Sequence, residues 1–161
     1  MMIAILLMRG ATFIQNSAPF KVDVRKFGEV YMEARKSGVS IKTMANFCRI
    51  FADASNMTWT KGNDNIDRVD FETKGKITRA GFNKKGHFLY SITSYREEML
   101  PKDILLMIKR NYHGKHIFGI TEVNTLNKTA YLIMLDKVTS WLHIKVLDGE
   151  FTEETVWLKA N

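Results

Sequence analysis

Cysteine is nearly absent from this chain: Cys48 stands alone among 161 residues. One thiol cannot close an intrachain disulfide, so packing, hydrogen bonding and charge must hold the fold. Cys48 lies at helical spacing with Met44, Ala45 and Phe51, and nothing near it in sequence would lower a thiol pKa. It reads as a small buried residue, not as a nucleophile. Proline is scarce as well, with two in the chain. With no low-complexity tract either, long disordered linkers are excluded. Met1 to Met8 is apolar but too short to cross a bilayer as a helix.

Catalytic signatures are also missing. His113-x-x-His116 is the nearest approach to a metal pair. No third ligand accompanies it at zinc-site spacing, and the two histidines straddle a helix end and a strand start. Glu97 and Glu98 are adjacent, so their carboxylates diverge on any regular element. The serines lack a G-x-S-x-G setting. Gly75, Gly81 and Gly86 are spaced for turns, with no phosphate loop leading into a helix. The sequence therefore assigns no enzyme activity, no cofactor and no metal.

The chain does carry a formal charge of +7 and a pI near 9.5. Its lysines are scattered and interleaved with acids, as around Arg96-Glu97-Glu98, with Lys84-Lys85 read as part of the same solvated surface. A nucleic-acid binder gathers cations into a stripe, so this distribution counts against nucleic acid as partner. After Met1 to Met8 come small and polar residues ending in Asn16-Ser17-Ala18, as in a secretory leader. The resulting expectation is an atypical signal peptide over residues 1–18, atypical because no basic segment precedes the apolar run and Arg9 follows it. Residues 19–161 then form one domain, placed in the periplasm or outside the cell.

The pattern along that domain appears twice. Phe27, Val30, Tyr31 and Ala34 recur at helical spacing, and Gly38 stops that helix. Ser40 is a suitable N-cap for a helix running to about Ala54, with an apolar stripe of Ile41, Met44, Ala45, Cys48, Phe51 and Ala52. Four short strands follow between Asn56 and Tyr95, joined by turns that contain glycine. Leu100-Pro101 then opens another helix. Asp103 in its first turn and Lys109-Arg110 in its last suit the helix dipole. Its buried stripe is Ile104, Leu105, Ile108 and Tyr112, and Gly114 ends it. Three or four strands run from there to Trp157. The fold class expected is α+β: two tandem helix-plus-antiparallel-strand units, about 19–99 and 100–161, forming one curved sheet with helices on one face.

The residues Val69-Asp70-Phe71, Gly75, Ala80-Gly81-Phe82-Asn83, Gly86, Tyr90, Leu100-Pro101, Ile108, Tyr112, Glu122-Val123, Tyr131 and Gly149 resemble the PepSY-like group. These are small exported proteins of Bacteroidetes type, structurally akin to the beta-lactamase inhibitor protein (BLIP). The resemblance spans roughly Phe47 to Lys159 and rests on aromatics and glycines that mark a fold, not an active site. It implies paired helices on an antiparallel sheet, export, and a role in binding or inhibiting other proteins. It implies no catalytic residue. Arg9 departs from the group's leader pattern.

One strand pattern indicates where a partner would bind. Leu142, Ile144 and Val146 form an apolar set that should face the helices, which turns Trp141, His143 and Lys145 to the open face. Trp157 is expected beside them, and Tyr95 as a more distant member. Large rings with nearby cations suit an interface with an unknown protein or peptide. The same rings could instead simply cover the sheet or meet a second copy. A small-ligand carrier, with a pocket between helices and sheet, is the alternative. It sits poorly with the many rings expected inside, Phe47, Phe51, Phe71, Phe82 and Phe88. A basic nucleic-acid module is a weaker one. Nothing in the sequence sets the oligomeric state.

Overall fold

The computed structural model describes residues 24–159. The expected leader over residues 1–18 lies outside them. Among the described residues three α-helices, Val24–Lys36 (α1), Ile41–Ile50 (α2) and Lys102–Asn111 (α3), pack on an eight-stranded antiparallel sheet. The strands are Ser55–Lys61 (β1), Ile66–Thr73 (β2), Lys76–Asn83 (β3), Phe88–Tyr95 (β4), His116–Thr125 (β5), Thr129–Asp136 (β6), Ser140–Leu147 (β7) and Glu150–Leu158 (β8). Sheet order follows chain order without a crossover. That is what short strands joined by tight turns produce. Among the described residues no helix is long and apolar enough to span a membrane.

Strand pairing carries one face across the sheet. Phe71, Thr78, Thr93, Glu122, Tyr131, Val146 and Phe151 form a continuous row from β2 to β8. This row and its same-face neighbours meet the helices. Two cores sit on it. In the first, Val30, Ala34, Met44 and Phe47 close over Trp59, Val69, Phe71, Ala80 and Phe82. Phe47 is its hub, with edge-on ring contacts to Trp59 at 5.2 Å and Phe71 at 5.1 Å. Edge-to-face geometry matches the ring quadrupoles and adds to the area buried. In the second, Ile104 and Ile108 close over Ile117, Ile120, Ile133, Leu135, Leu142, Ile144 and Val146.

α2 begins as its sequence predicts: the Ser40 side chain accepts the Thr43 N–H at 3.1 Å. It ends at Ile50, before the expected Ala54. Its buried face is also narrower than expected. Thr43, Met44 and Phe47 are buried, whereas Ile41, Ala45 and Ile50 are exposed. Thr43, and not Ile41, faces the sheet, where its hydroxyl donates to buried Asp67 at 3.4 Å. β8 is longer than its sequence pattern, because it begins at the Asp148-Gly149 turn and pairs with all of β7.

Candidate functional site on the open sheet face

The face away from the helices divides into two zones. Over β2 and β3 it is charged and self-paired. Arg79 Nε donates to Asp70 at 2.7 Å, and Arg68 pairs with Asp64. The Arg68 partner holds the Asp64 carboxyl below its ordinary value. Over β5 to β8 the same face is aromatic and apolar. Trp141 and Trp157 are opposite one another in the β7–β8 register. His143 stacks on Trp157 with ring centroids 5.5 Å apart and planes at 11°. Phe118 lies 4.5 Å from Trp141, ring to ring, and the Lys159 ammonium sits 4.5 Å over the Trp141 ring while bonded to Asp136. Leu132 and Met134 pair across from Lys145 and His143 and extend the patch over β6.

The alternation in β7 explains this placement. Leu142, Ile144 and Val146 are about 1 % exposed beneath α3, so Trp141, His143 and Lys145 are on the other face. Trp157 follows by register and remains 60 % exposed. These four sequence-predicted residues therefore share one surface. Tyr95 does not join them. It pairs with Ile120 on the helix side, is 7 % exposed, and belongs to the second core. In β4 the inward positions are Ser91, Thr93 and Tyr95, and Ile92 and Ser94 are outward. Alternation of polarity misleads here because a polar row is what is buried. Thr78 and Thr93 share a hydroxyl bond at 3.1 Å, and the Tyr95 hydroxyl donates to Glu122 at 2.6 Å. Burial, then the Glu122 carboxylate, pushes the Tyr95 hydroxyl well above its ordinary pKa.

Phe118 is the member that sequence reasoning missed. The pairing of β5 with β6 slips between Ile117 and Gly119, which places an extra residue in the strand. Such a bulge re-aims a side chain. Its sequence signal is Gly119 inside a strand, which often marks a bulge.

The groups His113 and His116 do not assemble a metal site: among the described residues no cluster of three or more His, Cys, Asp or Glu could hold an ion. The space between α2 and the sheet is filled by Phe47, Phe71 and Phe82, each at most 2 % exposed.

No family profile matches the sequence, and no curated protein does. Solved structures are similar in fold. A BLIP-like protein from Bacteroides fragilis superposes with a TM-score of 0.62 at 12 % identity, over 76 % of this chain and 89 % of that one. A protein provisionally assigned to the periplasm, from Bacteroides eggerthii, gives 0.57 at 14 % identity over 72 % and 88 %. A DUF2874 family protein from Bacteroides uniformis gives 0.55 at 12 % identity over 71 % and 89 %. At such identities the likeness is one of fold alone: the chain has the BLIP-like α+β fold.

Proposed function

We propose that this protein is a non-enzymatic binding module, exported from the cytoplasm, that captures or inhibits a protein partner through the β5–β8 half of its open sheet face. The observation that carries the reading is the contiguous patch of Phe118, Trp141, His143 and Trp157, with Leu132 beside it. Phe118 and Trp157 remain more than half exposed in a chain whose two cores are already closed. Large aromatic rings with cations at the margin, here Lys145 and Lys159, are the composition of interface hot spots. The fold shared with a BLIP-like protein adds support for a protein partner. Export rests on residues 1–18 and on the provisional periplasmic assignment of one similar structure. The tandem arrangement of residues 19–99 and 100–161, each helix then antiparallel strands, belongs to the same proposal.

The test is affinity capture from periplasmic and surface fractions with the wild-type chain and a Trp141→Ala/Trp157→Ala variant side by side. The reading expects a protein that the wild type retains and the variant loses, while both melt at similar temperatures. Equal retention by both chains, or none by either, would overturn it.

A further inference from the structure

The geometry points to a second site, for a compact and multiply charged anion of the phosphate-ester class, in the cleft between α2 and the β3–β4 turn. The cleft is open to solvent, with a volume of about 720 Å³. Lys42 and Ala45 of α2 form one wall, and Lys84, Lys85 and His87 form the other. This site is separate from the aromatic face and does not rest on the reading given to that face.

The two walls are locked together. Gly86, at φ +80°, lies so close to α2 that a Cβ on it would stand 2.7 Å from the Thr43 nitrogen and 2.8 Å from the Lys42 carbonyl carbon. Asn46 Nδ2 donates to the Gly86 carbonyl at 2.7 Å. The Asn83 side chain accepts the N–H groups of Lys85 at 2.9 Å and His87 at 3.0 Å. A site held this way loses little freedom when a ligand enters.

Charge then selects the occupant. Among the described residues, none of Lys42, Lys84 and Lys85 has a carboxylate within ion-pair distance. α2 has no acid in its first turn, and Lys42 stands there instead. A cation at that end opposes the helix dipole, so the local rule for stability is broken where the cleft lies. The helix end itself is not the attraction. Ser40 already caps Thr43, and buried Asp67, which does not line the cleft, accepts from the same residue. What remains, among the described residues, is three lysines without a carboxylate partner that line the same cleft. A phosphomonoester concentrates about two negative charges and three acceptor oxygens in one small group, which fits that set. A nucleic acid would need stacking rings among the cations. The only ring in the lining is the His87 imidazole.

The experiment is a titration of the full chain followed by amide chemical shifts, using inorganic phosphate and glycerol 3-phosphate, with chloride at matched ionic strength. Cosedimentation with phosphatidic acid vesicles in phosphatidylcholine runs alongside. Saturable shifts at Lys42, Lys84, Lys85 and His87 are expected with phosphate compounds and not with chloride. Lys84→Glu/Lys85→Glu should weaken binding roughly tenfold or more, since attraction becomes repulsion. Lys42→Glu on the opposite wall should do the same. All three lysines are exposed, so neither variant should melt below the wild type. Binding of the soluble ester without vesicles assigns a free phosphate compound. Vesicle binding lost in the double variant assigns a lipid headgroup. No saturable response to either, a response that chloride reproduces, or one that survives both variants overturns the site.

Discussion

The imidazole of His143 lies flat against the indole of Trp157, at 5.5 Å between centroids and 11° between planes. The stack crosses from β7 to the edge strand β8 and leaves much of the Trp157 ring open to solvent.

Trp157→Ala should therefore separate binding from stability. Trp157 is 60 % exposed, and an exposed substitution away from the core stays within about 0.5 kcal/mol. As a hot spot it should cost about 2 kcal/mol or more in partner affinity. Calorimetric melting and titration with the captured partner check both. Phe118→Ala should behave alike.

Phe47→Ala should behave in the opposite way. Its ring meets Trp59, Phe71, Phe82 and Phe51 and is 1 % exposed. Removing it leaves a cavity among rings that cannot collapse, at a cost of about 3–5 kcal/mol. Denaturant unfolding measures the loss. A cost under 1 kcal/mol would mean that the first core repacks freely.

Two glycines with nearly the same backbone should differ. A Cβ on Gly149, at φ +82°, would have nothing within 4 Å, whereas one on Gly86, at φ +80°, would meet α2 backbone. Gly149→Ala should cost about 1 kcal/mol from conformation alone. Gly86→Ala should cost roughly 3 kcal/mol, because the clash adds an overpacking penalty. Equal losses would show that the β3–β4 turn does not press on α2.

Alkaline pH should destabilise the protein through Tyr95 and Tyr131. Burial is the main cause of both raised values, and the Glu122 carboxylate adds to each. The folded state then holds these protons more tightly than the unfolded chain. The associated stability is complete below the ordinary tyrosine pKa of about 10 and is lost as pH rises beyond it toward the folded values. Tyr95→Phe should flatten that alkaline decline in thermal melts, even though it lowers stability near neutral pH by removing the bond to Glu122. An unchanged alkaline slope would count against this account.

Much of the architecture was legible in local chemistry. Turn glycines set the strand limits of β2 to β4 within a residue or so, Ser40 announced α2, and Pro101 announced α3. Trp141, His143 and Lys145 could be assigned a face because Leu142, Ile144 and Val146 alternate with His143 and Lys145 through the middle of β7. β4 offered no such contrast. Ser91, Thr93 and Tyr95 are inward, with the Thr93 and Tyr95 hydroxyls bonded there, and a buried hydrogen-bonded row reads in sequence like a solvated one. The lysines of the cleft were equally opaque. Lys84-Lys85 looked like ordinary surface charge until the bond from Asn46 to Gly86, 40 residues apart in the chain, brought that turn against α2.

The amino-acid order alone determined the class of fold, an antiparallel sheet under amphipathic helices, because periodicity, caps and turns act over a few residues. Only the tertiary structure decided which side chains share a surface. The β5 bulge that exposes Phe118, the strand register that sets Trp157 opposite Trp141, and the docking that gathers three lysines all depend on contacts between distant segments. Their energies arise when the chain closes on itself, and local pattern carries no record of them.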